Sequence, residues 1–447
     1  MSAHPAVSKP KRVNARVLVA GAGFAGLAAA RALEARGAAV TVVEARDRVG
    51  GRVWTIRDGF AARQHAEGGA DLIDSTQTTL VSLARELGLK LVHINRRGFG
   101  YYGRDPRGRL RVQSMRPGWQ ALGAALAPLV QAYTLADHRW TGAIASALAR
   151  QSVASWLTSI KAPRWVAQRV IALRGLFLAD PEDLSLLALV DFFADLNDSG
   201  WAESYRVVEG NDAIATRIAR GLASPVQLGT ILRRVRQDES GIVATVESRS
   251  TLSEIAADYV VVALPATTAR LVRFEPGVPE PQREAMASLR YGPATRVLLQ
   301  FARRFWNARG RPTAFGSDQP IGAIWDGNEQ QKGRAAILSL LAGGGASREL
   351  QAVQDTGGMS AVVSRLSWLG RPSPLLASRT ITWEDDPWAG GGYAFFDPAF
   401  APAWRDCLFR AHGRVLFAGE HTSIRWQGYM NGAVESGLRA AAEIAAF

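Results

Sequence analysis

Apolar and polar positions along the 447-residue chain follow two regimes, short apolar runs near the ends and helical periodicity between them. Near the N-terminus, Arg16-Val17-Leu18-Val19-Ala20 is a short apolar run that stops at glycine, the pattern of a buried parallel strand. Alanine and leucine then dominate from Phe24 to Arg36, which predicts a helix ended by Gly37. Val40-Thr41-Val42-Val43 is the next strand, closed by Glu44. Strand, turn, helix and strand are complete within about 30 residues, the order a dinucleotide-binding unit requires.

Thr78 to Gly88 reads as an amphipathic helix. Between Gly118 and Asp198 the patterning is mostly helical, over Leu122–Tyr133, Ile144–Lys161, Ala167–Leu178 and Leu184–Leu196. No nucleotide motif lies in this block, which assigns it to a substrate side. Strand patterns return at Val226–Val235, Ile242–Ser248 and Tyr259–Leu264, then at Thr295–Phe301 and Ala335–Leu341. Gly343–Gly345 reads as a loop. Arg414–Ala418 is a last strand, Gly419–Gln427 a loop, and Gly428–Ala446 a helix. There are no internal repeats and no low-complexity tract.

Hydrophobic residues make up 47% of the chain and charged residues 21%, enough for a large core without disulfides. The length points to two intergrown domains. The one cysteine, Cys407, excludes an intrachain disulfide and a cysteine-based zinc site, and fits a reducing compartment. Residues 1–14 read as a disordered tail without the apolar core of a secretory signal. No stretch reaches the roughly 18–20 apolar residues of a membrane span, so the expected location is cytoplasmic. The net charge of +13 comes mostly from arginines spread along the chain, with no long basic run, and nucleic acid is not an expected partner.

In the loop Gly21-Ala22-Gly23-Phe24-Ala25-Gly26, Gly21 allows the tight turn, Gly23 lets backbone approach a pyrophosphate, and Gly26 lets helix and strand pack closely. The helix N-terminus offers free N–H groups and a positive dipole end to phosphates. Glu44 stands where an acceptor can bond a ribose hydroxyl, and an acid there disfavours a 2′-phosphate. This pattern alone does not separate FAD from NAD.

Two further segments do. Glu44-Ala45-Arg46 is followed by Gly50-Gly51-Arg52, a turn that can bring amides and a guanidinium to a diphosphate. Near the other end the chain reads Phe417-Ala418-Gly419-Glu420-His421-Thr422, then Trp426-Gln427-Gly428-Tyr429-Met430-Asn431-Gly432. With these motifs the sequence resembles the flavin-containing amine oxidase family, which includes monoamine and polyamine oxidases. Val262-Ala263-Leu264-Pro265 and Phe305-Trp306 extend the likeness over nearly the whole chain. The resemblance implies an α/β fold: a Rossmann-type, glutathione-reductase-like FAD domain (15–74, 206–285, 390–447) intergrown with an α+β substrate domain (75–205, 286–389). It also implies an FAD site that includes Gly69, Ala70, Leu232, Gly419, Glu420, Gly428, Tyr429 and Met430. Glu420 would bond the ribityl or diphosphate part. The final helix would point its positive end at the flavin pyrimidine edge, where reduction builds negative charge.

On the substrate face, Tyr393 and Tyr429 match the two tyrosines of the family's aromatic cage, which would hold an amine between ring faces. Two departures stand out. The cysteine that carries flavin covalently in monoamine oxidases is replaced by Gly392, so the expectation is non-covalent FAD, with Cys407 packed in the core. Arg296 occupies the place of the family's usual lysine near flavin N5. An arginine there keeps the charge but cannot act as a base, which leaves oxygen or another molecule as electron acceptor. The other reading of Arg296 is an exposed strand arginine.

Amino-acid oxidases of this superfamily grip the substrate carboxylate with an arginine after the Glu-x-Gly-Ala segment. In Glu67-Gly68-Gly69-Ala70-Asp71-Leu72 that place is Leu72, which favours an amine without a carboxylate unless another arginine substitutes. Asp71 reads as a loop acid. The expected activity is oxidation of a primary or secondary amine to an imine, followed by hydrolysis. The alternatives are an L-amino-acid oxidase, an amine dehydrogenase, a desaturase or oxidase of a non-amine, and a non-enzymatic flavoprotein. A homodimer is left open.

Overall fold

The computed structural model describes residues 12–105, 107–199 and 203–447; most of the expected N-terminal tail lies outside the described residues. The N-terminal strand lies in a four-stranded parallel sheet. The strand order is Ala39–Val43, Arg16–Ala20, Tyr259–Val262, Val415–Phe417. The three pairings join segments from both ends and the middle of the chain, and each strand is dominated by Val, Leu or Phe because both of its faces are covered. Helices Phe24–Glu34 and Met430–Ile444 pack on each other along this sheet. Gly437 makes that approach possible, since a Cβ there would lie 2.1 Å from the Ala25 carbonyl oxygen.

A second sheet, Thr251–Ala257, Gly241–Ser248, Thr230–Asp238 and Arg273–Glu275, flanks the first. A third sheet has seven strands in the order Leu375–Thr382, Ala294–Phe301, Ala336–Gly343, Ala323–Asp326, Ala314–Ser317, Phe99–Arg104, Leu110–Ser114. Strand Ala294–Phe301 is buried at every position, including Thr295, Arg296 and Gln300. That is why it does not alternate and reads as a central strand.

Several sequence expectations change. The segment Ile144–Lys161 forms two helices, Ala143–Ala149 and Val153–Ser159, because Ser152 caps the second by accepting from the Ser155 N–H at 3.1 Å. Ala167–Leu178 likewise divides into Arg164–Ile171 and Arg174–Phe177. The strand expected from Val226 begins at Thr230, and Gly345 opens a helix, Gly345–Ser364, where a loop was expected. Strands Phe99–Arg104, Leu110–Ser114 and Leu375–Thr382, toward the two ends of this sheet, mix apolar residues with glycine and polar ones and gave no apolar run to read.

Candidate active site

The glycine loop leaves the sheet at the carboxyl end of Arg16–Ala20, where open α/β sheets place their ligands. Gly21 has φ of +103°, and a Cβ on it would lie 2.6 Å from the Ala263 oxygen. A Cβ on Gly26 would lie 1.9 Å from the Gly21 oxygen. Gly23 differs: it is extended, with φ of −73°, and a Cβ there meets no protein atom within 4 Å. It opens onto a cavity of about 1090 Å³ that Phe24, Ala25, Glu44, Ala45 and Arg46 also line. The helix that starts at Phe24 has no side-chain cap, so its first N–H groups face that space.

Glu44 is buried and already holds the loop in shape. Its carboxylate accepts from the Ala22 N–H at 2.7 Å and the Arg46 N–H at 2.9 Å. The Gly50-Gly51 turn docks on the loop through the Gly50 N–H, which donates to the Ala22 oxygen at 2.8 Å. Gly51 has φ of +59°, and a Cβ on it would lie 3.4 Å from Gly23 Cα.

Arg52 then reaches across the molecule. Its Nη1 donates to the Gly392 oxygen at 2.7 Å and to Glu420 at 3.0 Å. Glu420 also accepts from the Gly428 N–H at 2.8 Å and the Ala394 N–H at 3.3 Å. Glu420 is thus bonded to three protein donors and ties together the segments that carry Arg52, Tyr393 and Gly428. Gly419 precedes it, and its N–H donates to Ser436 Oγ at 2.9 Å on the final helix. That helix begins at Met430, is capped by Tyr429 without a side-chain bond, and opens on the same cavity. Gly69, Ala70 and Leu232 line it as well.

Tyr393 and Tyr429 stand on the cavity wall. The Tyr393 hydroxyl donates to the main-chain oxygens of Leu176 at 2.7 Å and Gly175 at 3.1 Å, which fixes its ring to the helical block. Burial drives its phenol pKa far above the ordinary range. The Tyr429 ring meets Trp426 edge-on, with centroids 5.5 Å apart.

Arg296 is 4% exposed, so the reading as an exposed strand arginine is excluded. Its Nη1 donates to Ser339 Oγ at 3.0 Å and its Nη2 to the Gly69 oxygen at 2.8 Å, and its guanidinium lies over Trp325 at 4.6 Å. Asp71 is no free loop acid. It is buried, with Oδ1 accepting from Arg206 Nε and Oδ2 from Trp325 Nε1, both at 2.7 Å.

Sequence reasoning missed much of this buried network. Arg206 lay in an unremarked segment, and Glu67 was noted only as part of a motif. Glu67 accepts from Thr55 Oγ1 at 2.8 Å and the Asn211 N–H at 3.0 Å. Burial, reinforced by Asp71, pushes its pKa up to about 8. The aromatic extension of the cavity was also missed: Trp119, Phe177 and Phe192 line it from three helices, and Phe177 meets Phe192 edge-on at 5.4 Å. Their helices had read only as part of a substrate side, with no lining residue singled out.

The residues present fit FAD. Two uncapped helix N-termini, the Gly23 opening and a volume above the roughly 300–1,000 Å³ of ordinary small-molecule sites leave room for an extended cofactor and a substrate. Cys407, the lone cysteine, is buried away from this lining, in accord with non-covalent FAD. Among the described residues no helix is long and apolar enough to cross a membrane.

Comparison with known proteins agrees. The chain is 28% identical to an L-amino-acid oxidase of Siganus canaliculatus, covering 96% of this chain and 85% of that protein. It is 25% identical to amine oxidase [flavin-containing] B of Canis lupus familiaris, covering 96% and 85%. Its structure is similar to that of cyclohexylamine oxidase from Brevibacterium oxydans, with a TM-score of 0.84, 27% identity, and 97% and 99% of the two chains covered. Residues 24–445 match the flavin containing amine oxidoreductases. The chain belongs to that family, and it is an FAD-dependent amine oxidoreductase.

Proposed function

We propose that this enzyme oxidises a primary or secondary amine to an imine, which water hydrolyses to a carbonyl compound. The observation that carries the reading is the placement of Tyr393 and Tyr429 on the wall of the same cavity that the glycine loop and the Arg52–Glu420 pair open into. FAD, when bound, accepts the hydride lost from the carbon that bears the amine. Gly21, Gly23, Phe24 and Ala25 would present backbone to the diphosphate, with Arg46, Gly51 and Arg52 beside them, while Gly26 serves the site by letting helix and strand pack closely behind the loop. Glu44 and Ala45 border the ribose, and Gly69, Ala70, Leu232, Gly419, Gly428 and Met430 complete the cradle. Tyr393, held by its hydroxyl, and Tyr429 orient the amine and exclude water.

In this reading residues 15–74, 206–285 and 390–447 form the cofactor domain, and 75–205 and 286–389 the substrate domain. A lone buried cysteine favours a reducing, cytoplasmic setting. Arg296 at the place of the usual lysine supports a second reading of the acceptor, in which a molecule other than oxygen takes the electrons. The test is bleaching of the visible flavin band under nitrogen with amines, amino acids and NADH, then recovery in air. Bleaching by amines is expected; bleaching by none of them overturns the assignment. Slow recovery in air supports the second reading.

A further inference from the structure

We propose that Leu178 is a positioning residue for Tyr393, acting through a left-handed turn of its main chain. This rests on the reading above in which Tyr393 orients the amine.

Leu178 has φ of +54° and ψ of +25°, the left-handed conformation that a residue with a Cβ rarely adopts. Among the described residues nine non-glycine residues have positive φ, and Leu178 is the one buried apolar side chain of that set, with 0% exposure. Strain of this kind persists only where the surroundings hold it. A socket of three glycines from separate parts of the chain supplies that hold. A Cβ on Gly292 would lie 2.2 Å from Leu178 Cβ, one on Gly343 2.6 Å from its Cδ2, and one on Gly392 2.4 Å from its Cδ1. Gly392 is the residue before Tyr393.

The helix Arg174–Phe177 ends on Leu178, whose N–H donates to the Arg174 oxygen at 2.8 Å. In a right-handed continuation the next two carbonyls, those of Gly175 and Leu176, would accept from the N–H groups of Ala179 and Asp180. The left-handed residue turns the chain away before that can happen. The two oxygens accept instead from the Tyr393 hydroxyl, at 3.1 Å and 2.7 Å. Leu178 therefore holds Tyr393 from both ends. Its side chain packs beside Gly392, and its main chain frees the carbonyls that fix the phenol.

The experiment compares Leu178→Gly with Leu178→Ile in the FAD-loaded enzyme. Glycine takes a positive φ readily but leaves the socket empty; isoleucine keeps the volume but, being β-branched, resists that φ. A role in packing alone makes Leu178→Ile the milder change, and the proposal predicts the reverse. The first readout is the cost of Tyr393→Phe, which removes the hydroxyl, in urea unfolding. It should be about fivefold in the unfolding constant in the parent and in Leu178→Gly, and under about twofold in Leu178→Ile. Equal costs in all three backgrounds overturn the proposal. The second readout is stopped-flow reduction of the flavin by phenethylamine under nitrogen. The rate should stay within about threefold of the parent in Leu178→Gly and fall about tenfold in Leu178→Ile. The opposite order also overturns the proposal. If Leu178→Ile yields no folded protein, Leu178→Gly decides alone: disappearance of the Tyr393→Phe cost in that background overturns the proposal, and its persistence supports it. If neither phenethylamine nor cyclohexylamine bleaches the parent flavin, the amine reading fails, and the unfolding measurements still decide whether Leu178 holds Tyr393.

Discussion

Arg52 and Glu420 are 368 residues apart in sequence and 3.0 Å apart in the structure. Their pairing joins the turn after the second strand to the loop before the final helix. It also fixes Tyr393, because Arg52 holds the Gly392 oxygen and Glu420 the Ala394 N–H on either side of it. The Gly50-Gly51-Arg52 turn, the Tyr393 segment and the Gly428 loop therefore share one ion pair.

Glu420→Gln tests this coupling. The amide keeps one acceptor oxygen but leaves the Arg52 charge without its partner. Breaking a largely buried pair costs about 3 kcal/mol. The expected outcome is a lower melting temperature together with weaker FAD binding, read by thermal denaturation and by fluorimetric titration of FAD into apoprotein. Loss of FAD affinity with unchanged stability would show that Glu420 acts on the cofactor alone.

The glycine loop offers a sharper contrast. Gly26→Ala places a Cβ 1.9 Å from the Gly21 oxygen, which requires helix and strand to separate. Little folded protein is expected. Gly23→Ala meets no protein atom within 4 Å and needs no unusual backbone angle, so stability should change by under about 0.5 kcal/mol. Its methyl group enters the cavity, and FAD affinity should fall by about tenfold or more. Circular dichroism melts and FAD titration of both variants check the pair, and normal FAD binding by Gly23→Ala would remove Gly23 from the diphosphate site.

Tyr429→Ala should slow flavin reduction by amines more than it weakens FAD binding if, as proposed, its ring orients the amine on the cavity wall. A reduction rate about tenfold lower with FAD affinity nearly unchanged is expected from stopped-flow mixing. Parallel loss of both would place Tyr429 in the cofactor site alone.

What the sequence made legible follows from range. The glycine loop, Glu44 and the Gly50-Gly51-Arg52 turn are local, and each residue type answers a local backbone demand, so they read directly. Glu420 and Tyr429 were found because their segment is a motif, but the bonds of Glu420 to Arg52, Gly428 and Ala394 depend on how distant strands line up in one sheet. Asp71 does lie in a loop, but its burial and its bond to Arg206 were not legible for the same reason: Arg206 arrives on strand Ser204–Val207, whose four residues give no strong pattern. The aromatic walls of the substrate cavity share helical spacing with ordinary core, and only the packing of the helices distinguishes a lined space from a filled one.

Glu67 is one buried group through which stability depends on pH. Burial, with Asp71 beside it, raises its pKa from the ordinary 4.5 to about 8 in the folded state. A raised carboxyl pKa favours the folded state fully below about 4.5, and that contribution is lost as pH rises through about 8. Glu67→Gln stays neutral throughout and keeps an oxygen for the Asn211 N–H. The variant should match the parent at acid pH and surpass it above about pH 8 in denaturant unfolding. The same variant isolates the substrate's ionisation in catalysis. His421 is buried and pushed down to about 3, and the Tyr393 phenol is pushed far up, so neither titrates between about pH 6 and 9. With Glu67 also silenced, the rise of single-turnover flavin reduction with pH should follow the bound amine losing its proton, since only the neutral amine gives up hydride. A flat profile over that range in Glu67→Gln would falsify the requirement for a neutral amine. A profile that rises in the parent but not in the variant would assign the ionisation to Glu67 itself.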